Sequence, residues 1–324
     1  MEIVVERELR DAVSLNMDVL DVIEEGFTLM AQGAVETPPI MRIEFPESNG
    51  EVDVKAAKVI GRDSFAIKVS SGFFDNPQRG LPSGNGLMVL LSAVNGQPEA
   101  LLLDNGYLTN VRTAAAGAIA AKYLANPRVD TVGIIGSGAQ ARAQLEALAL
   151  VRGFQKVLVY SRDSHRARQY AAEMTSRMGV PVLCSESAEE VVRGSDIVVT
   201  TTSASAPVLR AEWLHPGLHI TAMGSDAEFK QELDPWIFAQ ADKVCCDLIS
   251  QCARLGEWHH ASELGIHRND LMELGELTSK RVLGRTHPDH ITVCDLTGTG
   301  VQDTMMAIYA LERVQAMRLE SRVI

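Results

Sequence analysis

The sequence has no excess of positive charge, no long apolar run and no framework of paired cysteines. Its 30 Lys and Arg stand against 42 Asp and Glu, a formal net charge of −12. Binding to nucleic acid draws on lysine and arginine to neutralise phosphates. No Lys/Arg-rich run is present that could form a local basic patch, so the expectation is no nucleic-acid partner. No stretch approaches the roughly 18 apolar residues of a membrane span. The start, Met-Glu-Ile-Val-Val-Glu, lacks the basic and apolar regions of a signal peptide. The expectation is a cytoplasmic protein with no membrane partner. The five cysteines, Cys184, Cys245, Cys246, Cys252 and Cys294, are odd in number and irregular in spacing, which suits reduced thiols. No internal repeat or low-complexity tract is visible.

What is present is enough apolar sequence for two cores. At 324 residues and 46% hydrophobic content, two domains are the default expectation. Residues 9–32 carry Leu15, Val19, Val22, Ile23, Phe27 and Met30 at helical spacing and end at Gly33, which predicts one helix. After the loop around Pro38 and Pro39 come short strand-like runs. Those at 41–45 and 52–59 flank Asn49-Gly50, and those at 87–94 and 100–103 flank Asn95-Gly96, a strong hairpin signal. Residues 65–70 alternate as a further strand. An Ala-rich helix over 110–125, with Thr109 or Asn110 as its N-cap, leads into a different texture. From residue 130, strands predicted at 132–135, 156–160, 180–184, 197–201, 219–222 and 243–246 alternate with helices at 140–151 and 164–178. This implies a Rossmann-type, doubly wound parallel sheet. A long amphipathic helix over 304–319 packing back on the first region makes that region discontinuous. The expected division is 1–115 with 302–324 as an α+β antiparallel-sheet domain, and 116–301 as the dinucleotide-binding domain.

The strongest chemical signal is Gly133-Ile-Ile-Gly136-Ser-Gly138-Ala139-Gln140-Ala141. It contains Gly-x-Gly-x-x-Ala after a predicted strand and opens a helix. The first glycine permits the tight turn, and the second lets the backbone approach a pyrophosphate. The small third residue lets helix and strand pack closely. Amides at the helix N-terminus then face the phosphates. The next strand ends Tyr160-Ser161-Arg162-Asp163, without the carboxylate at the strand end that commonly holds an NAD ribose. Ser161 and Arg162 suit a 2′-phosphate, which favours NADP. Asp163 keeps NAD open, and a merely solvated Arg162 is the plain alternative.

Three further residues are suggestive. Lys68 lies in a strand on the face of Ala66, Arg112 lies in the first turn of the Ala-rich helix, and Asp226 follows a strand and Gly224-Ser225. That places Asp226 at the carboxyl edge, where open α/β sheets bind ligands. Taken singly, each fits a structural ion pair equally well. Thr297-Gly-Thr-Gly300 suits an anion nest or a plain interdomain linker. Neither Glu257-Trp-His-His260 nor Cys245, Cys246 and Cys252 has metal-ligand spacing, so no metal is expected.

These motifs, in this order, resemble the ornithine cyclodeaminase/mu-crystallin family along essentially the whole chain. The resemblance runs through Pro38-Pro39 with Arg42, the Lys68 strand, Gly80-Leu-Pro-Ser83 and Leu108-Thr-Asn-Val-Arg112-Thr-Ala-Ala-Ala-Gly117. It continues through the glycine fingerprint, Gly224-Ser-Asp226, Lys230-Gln-Glu-Leu-Asp234 and Thr297–Gly300. Within the family, Gly50–Lys55, Ser71–Pro77, Gly86–Ser92 and Glu99–Tyr107 are similar to the subgroup associated with ectoine utilisation. The resemblance implies that Arg42, Lys68 and Arg112 hold a substrate carboxylate, with Ser83 beside them where cyclodeaminases have threonine. It implies that Asp226 is the acid/base at the substrate nitrogen. Thr113, Gly136, Gly138, Ala139 and Gln140 are then cofactor contacts, Ser161 and Arg162 face the adenosine ribose, and Thr202 and Ser203 belong to the loop over the cofactor. It implies a homodimer built through the antiparallel domain. Lys55 and Lys58 are extra cations, which suit a substrate with a second carboxylate.

The implied cofactor is NADP, or NAD, and the implied substrate is a small amino or imino acid. Reduction of a ketimine and cyclodeamination of a diamino acid both need the carboxylate clamped and a proton moved at nitrogen. Two other classes stand beside this reading. One is a cofactor-binding protein of mu-crystallin type without turnover. Retention of Lys68, Arg112 and Asp226 together speaks against it. The other is a 2-hydroxy-acid dehydrogenase, which needs a histidine paired with a carboxylate. His215 and His219 have no evident partner.

Overall fold

The computed structural model describes residues 1–321. It divides into two compact units, one formed by residues 1–112 with the described residues from 299 onward and the other by 113–298.

The first unit is built on a seven-stranded sheet. In chain order its elements are β1 (Glu2–Val5), α1 (Glu6–Ala12), α2 (Met17–Ala31), β2 (Val35–Glu36) and β3 (Met41–Phe45). Then come β4 (Gly50–Val59), β5 (Ser64–Phe73), β6 (Gly84–Ser92) and β7 (Pro98–Leu103). The strand order is β1-β7-β6-β5-β4-β2, with β3 also on β4. Two expectations are corrected here. The single helix over 9–32 is two helices, because Val13 leaves helical geometry and Asn16 caps α2 through its side chain on the Val19 amide at 3.1 Å. The helical spacing of apolar residues runs through this break and hides it. The sheet is also not wholly antiparallel, since β1 pairs with β7 in parallel. Four residues are too few for a strand pattern to show.

Alternation along β4 buries Glu51, Asp53, Lys55 and Ala57, and leaves Val52, Val54 and Ala56 only half-buried. Lys55 lies opposite Lys68 in the β4–β5 register, and Lys68 opposite Met88 in the β5–β6 register. The C-terminal helix, Gly300–Glu320, packs over the charged face against β4 and β5, and against α2. Any Cβ at Gly300 would collide with the Ala56 carbonyl, so only glycine lets this helix start so close to the sheet.

The helix α3 (Tyr107–Leu124) begins earlier than expected. Asp104, not Thr109 or Asn110, accepts the Leu108 amide at 2.8 Å.

The second unit carries β8 (Thr131–Ile135), α4 (Ala139–Val151), β9 (Lys156–Tyr160), α5 (Ser164–Met178), β10 (Val182–Cys184), α6 (Ala188–Arg193) and β11 (Ile197–Thr200). It continues with β12 (Ser205–Leu209), β13 (His219–Ala222), β14 (Gln231–Leu233), α7 (Trp236–Gln240), β15 (Lys243–Cys246), α8 (Ile249–Leu255) and α9 (Glu257–Glu263). It ends with β16 (Met272–Glu273), α10 (Leu274–Thr278) and β17 (Thr292–Asp295). An eight-stranded parallel sheet runs β10-β9-β8-β11-β13-β17-β15-β16. The chain winds outward from β8 through β9 and β10, then returns to the other side of β8 as β11. That reversal is the switch point where such sheets bind ligands. Val132, Ile134, Ile197 and Val199 join one core and Ile135, Val198 and Ile220 the other. Burial on both faces explains the unbroken apolar runs. The sequence reading missed β17, short and rich in Thr, Cys and Asp, although it sits mid-sheet. The fold is α/β, with a Rossmann-type parallel sheet and a separate, largely antiparallel α+β unit. Among the described residues, no helix is long and apolar enough to cross a membrane.

Candidate active site

In the second unit the glycine loop follows β8. Gly136 has φ 121°, and a Cβ there would collide with Thr201, so glycine is required. Gly138 is the N-cap of α4, with no side-chain cap, and a Cβ on it would meet open space. Ala139 and Gln140 open the helix. Its first amides are thus oriented toward an uncrowded approach, the arrangement that holds phosphate. Arg142 was not anticipated. Its guanidinium donates to the Ser137 carbonyl at 2.7 Å and the Gly138 carbonyl at 3.0 Å while pairing with Glu173, and so fixes the loop. Ser137 donates to the Ser161 hydroxyl at 3.1 Å, tying the loop to the end of β9. Arg162 is exposed. Asp163 turns away from the strand end to cap α5, accepting the His165 and Arg166 amides at 2.9 and 3.1 Å. The Arg166 amide holds its carboxyl below the usual range. Thr113 accepts from Gln144 at its carbonyl, at 2.9 Å.

Two loops leave neighbouring strands at the same edge. The loop after β11 carries Thr202, half-buried, and Ser203, exposed. The loop after β13 carries Asp226, whose carboxylate meets the Lys230 ammonium at 2.7 Å, with Asp226 one-third exposed and Lys230 buried. Burial pushes His219 down to about 3. It hydrogen-bonds the Thr292 and Thr221 hydroxyls, and His215 lies against backbone carbonyls. Neither serves as the histidine of a hydroxy-acid dehydrogenase. The Thr297–Gly300 loop is a nest filled from within. The buried Asp247 carboxylate accepts the Thr297 and Gly298 amides at 2.9 and 2.6 Å. These two amides are therefore not offered to an external anion, and the loop carries the chain from the second unit back into the first, as the linker reading expects.

In the first unit, Lys68 and Arg112 come together on a carboxylate the sequence reading did not single out. Lys68 Nζ lies 3.1 Å from Asp303 Oδ2, and Arg112 Nε 2.9 Å from Asp303 Oδ1. Arg112 also donates to Gln302 at 3.0 Å. Burial, with Arg112 and Lys55 nearby, outweighs the attraction of Asp303 and lowers Lys68 to about 7. Burial pushes Asp303 upward, but Arg112, Lys68 and Lys55 overcome it and hold the carboxyl below its usual range. Lys55 is buried on the same face. Lys58 is not part of this group. It points to the other face, exposed, and pairs with Glu36 at 2.8 Å. The guanidinium of Arg42 grips Asp53 with two hydrogen bonds of 2.7 and 2.8 Å. Ser83 lies exposed in the loop before β6, and its carbonyl accepts the Phe73 amide at 2.7 Å. Asp303 escaped notice because an acid in the first turn of a helix is ordinarily explained by the helix dipole.

Comparison with known proteins agrees with this architecture. The model of the ornithine cyclodeaminase/mu-crystallin family matches residues 2–318. An uncharacterised cyclodeaminase of Sinorhizobium fredii is 49% identical over 318 residues, covering 97% of this chain and 96% of that one. The Δ1-pyrroline-2-carboxylate reductase of Thermococcus litoralis, solved with NADH and L-proline, superposes with a TM-score of 0.93 at 29% identity, covering 98% of each chain. An archaeal alanine dehydrogenase dimer with bound NAD gives 0.90 at 33% identity, over 98% of this chain and 97% of that one. The chain belongs to the ornithine cyclodeaminase/mu-crystallin family, and it is an enzyme.

Proposed function

We propose that this protein is an NAD(P)-dependent enzyme acting on a small amino or imino acid, with hydride exchanged at C2. The observation that carries the reading is the buried group of Lys68 and Arg112 on Asp303. Two cations held in place by one carboxylate suit an incoming substrate carboxylate better than they suit stability, since burying charge is costly. Lys68 and Arg112 bind that carboxylate, with Arg42 and Ser83 as further contacts. The cofactor fits the loop of Gly136 and Gly138, where a Cβ is barred at one glycine and open space lies at the other. Ala139, Gln140, Thr113, Thr202 and Ser203 complete its contacts. When bound, the nicotinamide supplies or accepts the hydride. Asp226 gives a proton to the substrate nitrogen in reduction and takes one in oxidation. Lys230 holds that carboxylate in place, its ammonium 2.7 Å from Asp226 Oδ1. A diamino acid whose second amine displaces ammonia would close a ring with the same residues, so ketimine reduction and cyclodeamination remain the two forms of the reading.

Commitment of Asp163 to the α5 cap leaves Ser161 and Arg162 for the ribose, which supports NADP. The first unit serves substrate binding and dimerisation, the second the dinucleotide. A homodimer is supported by the outer face of the antiparallel sheet, where Met41 and Ile43 are 54% and 47% exposed beside half-buried Val54, Ile67, Val69 and Val89. The sequence stretches shared with the ectoine-utilisation subgroup support a role in ectoine or hydroxyectoine breakdown. Five free cysteines support a cytoplasmic setting.

The test is absorbance of the reduced nicotinamide with NADPH and NADH in parallel, over cyclic and acyclic imino acids. Ornithine and 2,4-diaminobutyrate with NAD follow. Oxidation of NADPH by an imine is the result expected of a reductase. Ammonia and a cyclic amino acid without net oxidation are expected of a cyclodeaminase. Tight cofactor binding with silence in both contradicts the reading and leaves a binding protein.

A further inference from the structure

We infer that Glu232 is a positioning residue that ties the cofactor loop after β11 to the Asp226 loop after β13. The inference rests on the roles proposed above for those loops. Strands β11 and β13 are neighbours, with Thr200 opposite Ala222, so the two loops leave the sheet side by side. Glu232, in β14, is fully buried. One of its carboxylate oxygens accepts the Thr202 amide at 2.5 Å. The other accepts the Thr200 hydroxyl and the Gly224 amide, each at 2.7 Å. One carboxylate therefore holds the first residues of both loops.

The surroundings are built around this contact. A Cβ at Gly224 would collide with the Thr202 carbonyl and lie 2.5 Å from the Glu232 carboxyl carbon, so the two loops approach as closely as glycine allows. A second buried carboxylate, Glu257, accepts the amides of Glu232 and Leu233 at 2.7 and 2.9 Å and fixes the strand on which Glu232 stands. Two residues before Glu232, Lys230 holds Asp226, and the Lys230 carbonyl accepts the Ser225 hydroxyl at 2.7 Å. The segment from Gly224 to Glu232 is thus tied at both ends and across its middle. Burial raises the Glu232 carboxyl against the pull of its three donors. An apolar residue of similar volume would avoid that cost but would leave two loop amides without an acceptor. Only an acceptor with two oxygens can serve both loops at once.

The experiment uses the whole enzyme and begins with the unsubstituted protein, whose dissociation constants for NADPH and NADH are measured by fluorescence. Failure to bind either overturns the functional reading itself. If it binds, Glu232→Gln is compared. The amide keeps the size but sets a donor against one loop amide. The expected result is cofactor binding weakened about tenfold to a hundredfold, with a displaced limb in the pH profile of kcat/KM at saturating cofactor. Thr200→Val removes only the hydroxyl donor and keeps the branched shape. It is expected to move both readouts the same way by less, and it covers the case in which Glu232→Gln does not fold. A purely structural role lowers Tm and leaves Kd and the pH limb unchanged in whichever variants fold. That result overturns the inference while leaving the functional reading intact.

Discussion

At Lys68 the opposing effects can be ranked. Burial disfavours the ammonium most, Arg112 adds repulsion, and Asp303 attracts without fully compensating, so the group titrates at about 7. The sign follows. Between about 7 and the ordinary lysine range the unfolded chain holds more protons than the folded one, so this residue's burden on stability is full below 7 and is relieved as pH rises. Binding of a carboxylate runs the other way, because it needs the charged form. Affinity for a carboxylate ligand is expected to fall above pH 7, by up to about tenfold per pH unit. Binding near pH 8 should take up a proton, measured by calorimetry in buffers of different ionisation enthalpy. In Lys68→Met both the proton uptake and this pH dependence disappear. A flat profile without uptake in the unsubstituted protein contradicts the role given to Lys68. Residue type, with a strand position for Lys68 and a first-turn helix position for Arg112, made these two legible in the sequence. Asp303, Glu232 and Asp247 were not, because their partners lie far along the chain and buried acids carry no local pattern.

Among the elements, hairpins and Rossmann strands were legible because turn chemistry and apolar runs are local. The loops themselves were longer than the Asn-Gly signal suggested. The β3–β4 turn is made by Pro46–Ser48, with Asn49 in the left-handed region at φ 45°. The faces of β4 were not legible. A period of two separates Val52, Val54 and Ala56 from Glu51, Asp53 and Lys55 but does not say which set the chain covers. The usual assignment buries the apolar set. Here the C-terminal helix covers the charged set, and the apolar set, left half-buried, is the face proposed above for a second copy of the chain. Ile67, in the middle of β5 on that outer face, is the position to test. Ile67→Asp is expected to weaken the dimer at least about a hundredfold, since each buried isoleucine contributes about 1.5–3 kcal/mol and a twofold interface loses two. Sedimentation should show monomers that keep the fold. Dimers of unchanged strength, or an unsubstituted protein that is already monomeric, contradict the assignment.

Across the whole molecule, the change of texture near residue 130 was legible because parallel sheets covered on both faces demand continuous apolar strands. The acidic balance, −12 overall, said little about the site. The two cations proposed to hold the substrate carboxylate, Lys68 and Arg112, are buried and matched by one buried acid, Asp303. The proposed chemistry moves hydride between nicotinamide and C2 of an imino acid. Its decisive test uses reduced cofactor carrying deuterium at both C4 positions, with the imino acid that consumes it, and locates the label in the product by NMR. The expected result is one deuterium at C2 of the amino acid, and loss of the labelled product in Asp226→Asn with cofactor binding retained. Consumption that leaves C2 unlabelled, or full labelling by the Asp226→Asn enzyme, contradicts it.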